Sequence, residues 1–435
     1  MIAEHTFESA VIETMDLTLV KASSEAMAGK LDALARHWRC APRRWGHPLH
    51  SLCSYFAMFP PHIPRVFVEW LTVTGDVVYD LFSGRGTAPM EACRLGRIGL
   101  GSDANPLAYV LTGAKVDPPT AEEVGVRLDA LEASMPARRR GRVPEDIRML
   151  YSRKVLRQLC WLREQLDVEN RTDRFIMSTI LGLLHANYKP GSPARGLSIS
   201  MPNTFSMSPS YVRGYIAEHR LKPPDVDVVD MVRRKADRMC IPLSAARRGR
   251  AWKADARRPG DLREGLAKLV FTSPPYLGVI NYGKYNWIRL WMLGYEARQV
   301  DRELMATASL RRYLDFIAEV LSRLREVVRS DGYVCLMIGD VRNKSSGATL
   351  NLAETVWRDT AAPTGWRRLG VLNDHLPEQH KVSRIWGHGK MGRATKVDRI
   401  LILAPRGSSH NLPPYPEGFA WNTAYKWAQA PTEEA

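Results

Sequence analysis

Apolar residues follow two rhythms along the chain. Short apolar runs closed by turn residues occupy 77–82, 98–103, 269–272, 332–339 and 398–403, and each predicts a strand. Residues 251–256 read as the short end of another. Helical spacing governs the stretches between them: about 64–71, 87–95 with Gly96 as the closing glycine, and a long stretch over 311–329. From Val77 to Asp103 a strand, the glycine turn Ser83-Gly-Arg-Gly86, a helix and a second strand follow directly on one another. Such a unit predicts a parallel sheet with a right-handed crossover.

Other stretches have a different character. The first 40 residues read as an amphipathic helical arm, with Leu31, Leu34 and Ala35 at helical spacing and Arg36, Arg39, Arg43 and Arg44 behind them. Residues 50–61 are rich in aromatics and proline. Residues 117–250 keep helical periodicity, as in Val155, Leu159, Leu162 and Leu166, around a Ser/Pro/Gly/Met-rich loop at 187–215, and read as an insertion into an α/β domain. Beyond residue 405 the composition predicts a poorly ordered tail. No repeat with a period of 20 to 50 residues interrupts this pattern.

Composition narrows the partners. The 435 residues are 45% hydrophobic and 25% charged, as in an ordinary globular protein. Lys and Arg number 62 against 46 Asp and Glu, a formal charge of +16. That excess favours a polyanion, nucleic acid ahead of an anionic membrane. Residues 117–250 hold 24 basic against 16 acidic residues, a net of +8, with basic runs at Arg233, Arg234, Lys235, Arg238 and at Arg247, Arg248, Arg250. These read either as phosphate contacts or as a solvated helical surface. No run of about 18 apolar residues occurs, and residues 1–21 lack a continuous apolar core, so no membrane span or leader is expected. Cys40, Cys53, Cys93, Cys160, Cys240 and Cys335 form no CxxC pair. They read as small buried hydrophobes in the cytoplasm, with no metal site expected.

Two constellations carry chemistry. Phe82-Ser-Gly-Arg-Gly86 lies between a strand and a helix, where glycines admit close backbone approach and the helix start offers free N–H groups. Asp103 ends the next strand, where a carboxylate can accept both ribose hydroxyls of a nucleoside cofactor. Asp80 precedes the turn and can hold an ammonium group. The plainer reading is a tight turn with a solvated Asp. Pro89 stands where a dinucleotide fingerprint has its third glycine, which argues against a nicotinamide enzyme. The second constellation, Thr272-Ser-Pro-Pro-Tyr276, ends an apolar strand. Its two prolines stiffen the backbone and donate nothing. The Ser273 hydroxyl and the Ser273 and Pro274 carbonyls remain as acceptors beside the Tyr276 ring, which suits a planar base with an exocyclic amino group.

These residues resemble the S-adenosylmethionine-dependent DNA methyltransferases that modify exocyclic amino groups. Asp80-Leu-Phe-Ser-Gly-Arg-Gly-Thr87 is similar to the family's cofactor motif, with Leu81 for the usual Pro and Arg85 for a usually small residue. The resemblance assigns Asp80, Phe82, Gly84, Gly86, Thr87 and Asp103 to the cofactor. Ser273, Pro274, Pro275 and Tyr276 resemble the catalytic motif in the Ser form usual for cytosine-N4 enzymes. Asp255, in Trp252-Lys-Ala-Asp-Ala-Arg257, takes the role of the acceptor for the cofactor's adenine amino group. Phe59 and Pro60 fall in the aromatic segment that closes the methionine end. The implied fold is a Rossmann-like seven-stranded methyltransferase sheet with helices on both faces and a mainly helical insertion. The expected divisions are a 1–45 helical arm, a 46–116 cofactor half, a basic helical insertion over 117–250 as one candidate for the target-recognition region, a 251–405 catalytic half and a 406–435 tail.

The implied activity is methylation of cytosine N4 in DNA with S-adenosylmethionine, with adenine-N6 and RNA versions and an inactive nucleic-acid-binding subunit as alternatives. DNA is the expected partner, a restriction or defence-system partner is left open, and the sequence carries no sign of oligomeric state. Nucleic-acid contacts are expected at Tyr282 and Lys284, where basic and aromatic residues interleave, although Trp287, Leu290 and Trp291 can equally pack in the core. Further contacts are expected at Arg233, Arg234 and Arg238 and in the glycine-rich cluster with Arg384, His388, Lys390, Arg393 and Lys396. His50 and His62 read as structural.

Overall fold

A computed structural model describes residues 46–55, 59–137, 142–188, 192–201, 206–240, 243, 249–260, 262–277, 281–342, 349–375 and 397–414. Among these residues nine strands occur: β1 (Val77–Asp80), β2 (Ile98–Asp103), β3 (Arg250–Lys253), β4 (Ala267–Thr272), β5 (Val328–Gly339), β6 (Val341–Arg342), β7 (Thr349–Leu350), β8 (Trp366–His375) and β9 (Val397–Pro405). Seven form one sheet in the order β3-β2-β1-β4-β5-β9-β8, and β6 and β7 make a small separate ladder. The pairs among β1 to β5 are parallel, whereas β9 is antiparallel to both β5 and β8. The chain winds outward from β1 through β2 to β3, then returns to the other side of β1 to lay down β4. The order therefore reverses between β1 and β4, and their carboxyl ends form the switch point at which open α/β sheets bind ligands in a crevice. This order, with one reversed strand beside the edge, is the Rossmann-like methyltransferase sheet.

Parallel strands are covered on both faces, which explains the near-continuous apolar runs. Alternate residues of β1 and β4 serve opposite layers. Val78, Leu269 and Phe271 pack with the helices His62–Leu71 and Thr87–Arg94. Tyr79 and Val270 pack with the long helix Leu310–Val327 through Phe316, Ile317 and Val320. The first strand stops at Asp80 rather than Phe82, because the chain turns there. β8 was not apparent in the sequence pattern.

The insertion is helical, as expected. It holds Ala121–Ala133, Glu145–Arg148, Arg153–Gln165, Arg171–Leu181, Pro209–His219 and Val228–Met239. Thr120 opens the first with a capping box to Glu123, and Ser152, Asn170 and Asp227 cap later ones. These helices share one core with Pro106–Val116 and Trp287–Leu293: Leu107, Leu111, Leu128, Leu159, Phe175, Val232 and Leu290 belong to the same cluster. Leu290 is fully buried and Trp287 and Trp291 pack against that core.

The expected tail begins as packed chain. Leu412 is buried, Trp70 Nε1 donates to the Pro413 carbonyl at 3.2 Å and the Tyr333 hydroxyl to the Asn411 carbonyl at 3.2 Å. The expected 1–45 arm and the cluster holding Arg384, Lys390 and Arg393 lie outside the described residues. Among the described residues no helix is long and apolar enough to cross a membrane.

Candidate active site

The glycine turn sits at the reversal point. Gly84 (φ +51°) and Gly86 (φ +76°) both take left-handed backbone, and a Cβ on Gly86 would stand 2.9 Å from Thr112 Cα. Asp103, at the end of β2, clamps this turn. Its Oδ2 accepts from Gly84 N at 2.9 Å and its Oδ1 from Asn105 N at 2.9 Å. Each oxygen keeps further acceptor capacity. Burial pushes the Asp103 carboxyl up to about 6, against the pull of those two backbone bonds.

Tyr55 covers the turn. Its ring lies 3.4 Å from where a Gly84 Cβ would stand, and its hydroxyl accepts from Asn105 Nδ2 at 3.0 Å. It stacks on Tyr282, with centroids 6.0 Å apart and planes 25° from parallel. Tyr282, read from the sequence as a nucleic-acid contact, thus lies beside the turn. Lys284, two residues on, is exposed. Phe59 turns its edge to Phe271 at 5.6 Å and packs with the sheet core. The Pro60 carbonyl accepts from Ile63 N at 3.1 Å as the next helix begins. Among the described residues of the aromatic segment, Tyr55 stands over the turn.

Asp80 is fully buried. Its Oδ1 accepts from the Thr272 hydroxyl at 2.6 Å and from Phe82 N at 3.1 Å, whereas Oδ2 has no partner among the described residues. Burial, and to a lesser degree the Asp103 charge, push its carboxyl up to about 7. An orphaned buried carboxylate oxygen is costly, and a cation in the crevice would satisfy it. The residues present therefore fit a nucleoside cofactor that carries an ammonium group. Phe82 tilts against Phe316 at 5.9 Å. Thr87 opens the following helix, and Arg85 turns inward, its Nη1 donating to the His50 carbonyl at 2.9 Å. His50 is buried and 2.7 Å from Glu91.

The second motif leaves β4 next to Asp80. The Ser273 hydroxyl donates to the Met337 carbonyl on β5 at 3.1 Å, which fixes its oxygen as an acceptor for others. Pro274 is buried, and Pro275 and Tyr276 are half-buried. Burial drives the Tyr276 hydroxyl far above its ordinary range, with Asp398 and Tyr282 adding to the rise and hydrogen bonding with Ser273 opposing it. Tyr276 is thus a neutral ring at neutral pH. Asp398, at the start of β9, was not singled out in the sequence. Only the reversal of that strand brings it here.

Asp255 lies just beyond the end of β3, but its carboxylate is engaged. Oδ1 accepts from Arg257 N at 2.9 Å and Nε at 3.0 Å, and Oδ2 from Nη2 at 2.7 Å, which holds it below the usual carboxylate range. The insertion's basic run is partly neutralised. Arg233 pairs with Asp129 at 2.8 Å and Arg234 with Asp230 at 3.3 Å, while Arg238 is exposed. Lys235 is buried and donates to the Leu52 carbonyl at 2.6 Å.

The chain matches no protein-family model and no curated protein. Among solved structures it is similar to a TehB-like SAM-dependent methyltransferase from Corynebacterium glutamicum, at 8% identity and TM-score 0.28 over 89% of this chain and 100% of that one. An rRNA methyltransferase from Streptomyces viridochromogenes matches at 10% identity and TM-score 0.30, over 83% and 90%. A candidate DNA modification methylase from Thermus thermophilus, complexed with S-adenosyl-L-methionine, matches at 18% identity and TM-score 0.24. The match covers 37% of this chain and 57% of that protein, a little over half its length. The strand order, not these low scores, defines the fold.

Proposed function

We propose that the chain is an S-adenosylmethionine-dependent methyltransferase acting on the exocyclic amino group of a base in nucleic acid, with cytosine N4 in DNA as the target. One observation carries this reading. Ser273-Pro-Pro-Tyr276 and the Asp80–Gly86 turn meet at the reversal point, joined by the Thr272–Asp80 hydrogen bond.

The bound cofactor would supply an activated methyl group. The residues of this chain bind, orient and exclude water. Asp103 would accept from the ribose hydroxyls and Asp80 Oδ2 from the ammonium group. Asp255 would accept from the adenine amino group once Arg257 lets go of it. Ser273 and the Pro274 carbonyl would accept the target N–H hydrogens, turning the nitrogen lone pair toward the crevice, while the Tyr276 ring stacks on the base. No strong base is needed, because the proton can leave after transfer. Extrusion of a base from duplex DNA costs a few kcal/mol, which stacking and phosphate contacts offset.

The Ser form of the motif favours cytosine over adenine, and the +16 charge favours a nucleic-acid substrate. A cytoplasmic enzyme with a restriction or defence partner is the setting that this activity suggests. The test is mass spectrometry of nucleosides from DNA, and separately from RNA, incubated with the protein and labelled cofactor. N4-methylcytosine in DNA is expected. N6-methyladenine, or label in RNA alone, would replace the target named here. A protein that binds no cofactor would be a nucleic-acid-binding subunit instead.

A further inference from the structure

Thr272 ends β4 and Asp80 ends β1, the two strands that flank the reversal. They run side by side, with Val78 opposite Leu269 and Tyr79 opposite Val270. Both residues are fully buried, and the 2.6 Å bond between them joins positions 192 apart in the chain. Phe82 N shares the same carboxylate oxygen, so both donors hold Oδ1, and among the described residues Oδ2 has no partner. Packing does not require the hydroxyl. Valine has the same branched shape and suits a strand as well.

We propose that Thr272 is a positioning residue: its hydroxyl orients Asp80 so that the free oxygen meets the ammonium group of the cofactor, and the same bond ties occupancy of that subsite to the chain segment that becomes Ser273-Pro-Pro-Tyr276. This deepens the cofactor reading above and rests on it. The hydrogen bond favours the ionised carboxylate, against burial and the neighbouring Asp103 charge. The titratable groups facing Asp80 are Asp103 at the end of β2 and Tyr79 on β1 itself. Without the hydroxyl, Asp80 takes up its proton at a higher pH, and a protonated carboxyl holds an ammonium group poorly.

The test is calorimetric binding of S-adenosylmethionine, and of 5′-methylthioadenosine, which lacks the ammonium group, between about pH 6 and about pH 9, on either side of the Asp80 value. Thr272→Val is expected to weaken S-adenosylmethionine binding roughly tenfold relative to the wild type at neutral pH, with that gap closing as pH rises, and to leave 5′-methylthioadenosine binding unchanged. Thr272→Ser should restore the wild-type profile. An unshifted S-adenosylmethionine profile in Thr272→Val overturns the inference and leaves the cofactor reading intact. No binding by the wild type overturns both. Should Thr272→Val not fold, Thr272→Ala decides: a deficit confined to S-adenosylmethionine supports the hydroxyl's role, and a wild-type profile overturns it.

Discussion

The rings of Tyr55 and Tyr282 lie 6.0 Å apart and nearly parallel, and Tyr55 reaches down to the glycine turn at Gly84. One comes from the segment before β1 and the other from the segment after Ser273-Pro-Pro-Tyr276, so chain from both sides of the insertion meets beside the turn. Removing the Tyr282 ring should loosen this cover. An aromatic pair of this kind contributes about 1 kcal/mol, so Tyr282→Ala should weaken cofactor binding roughly fivefold and Tyr282→Phe far less. Isothermal calorimetry checks it. Unchanged cofactor affinity with weakened DNA binding would return Tyr282 to the nucleic-acid role expected from the sequence.

Tyr276 should separate binding from turnover. Its ring follows the two prolines, and in the proposed mechanism it stacks on the target base and not on the cofactor. Tyr276→Ala should lose most single-turnover rate while cofactor affinity survives, and Tyr276→Phe should retain most of the rate because stacking needs no hydroxyl. Wild-type turnover in the alanine variant would remove the ring from the mechanism.

Asp103 gives a pH dependence with a defined sign. Its carboxyl lies at about 6, above the ordinary value, because burial disfavours the charge. The ionised form is the stronger acceptor for ribose hydroxyls, so cofactor affinity should fall as pH drops through about 6. For 5′-methylthioadenosine, which does not report on Asp80, Asp103→Asn should abolish this step and weaken binding by about 1.5–3 kcal/mol. A step at the same pH in the asparagine variant would assign it to another group.

The strands that were legible are those whose both faces are buried. β2 fell at its observed limits, and β4, β5 and β9 within a few residues of theirs, since unbroken apolar runs bounded by turns leave little choice. β8 was not, because an edge strand reading Trp-Arg-Arg-Leu-Gly-Val-Leu-Asn-Asp-His has no such run. The site divides similarly. Gly84, Gly86 and Asp103 lie in one contiguous unit, so their proximity follows from local chain geometry. The Thr272–Asp80 bond, the Tyr55–Tyr282 stack and the Arg257 fork on Asp255 depend on side-chain encounters that spacing does not encode.

The basic run on the helix Val228–Met239 predicts a graded salt response. Arg233 and Arg234 already face carboxylates, so phosphates would have to displace Asp129 and Asp230. Arg238 carries no such neighbour in these pairs and is exposed. Each phosphate contact contributes about one unit to the slope of log affinity against log salt. Arg238→Ala should therefore flatten the slope by about one unit, and Arg233→Ala or Arg234→Ala by less. Fluorescence anisotropy with a DNA duplex across salt concentrations measures it. An unchanged slope when all three are replaced would place the DNA path on another surface.

The described helices of residues 117–250 share their interior with the helices Pro106–Val116 and Trp287–Leu293. Leu128, Leu159, Phe175 and Val232 meet Leu107, Leu111 and Leu290 in one cluster. A region built this way cannot be lifted out and exchanged as a cassette, because its removal would strip the covering from the helix Pro106–Val116, which Asn105 caps just beyond Asp103. Substitutions on its exposed helix faces leave that shared core intact. Chimaeras that swap the region wholesale should be insoluble, whereas surface grafts onto it should fold.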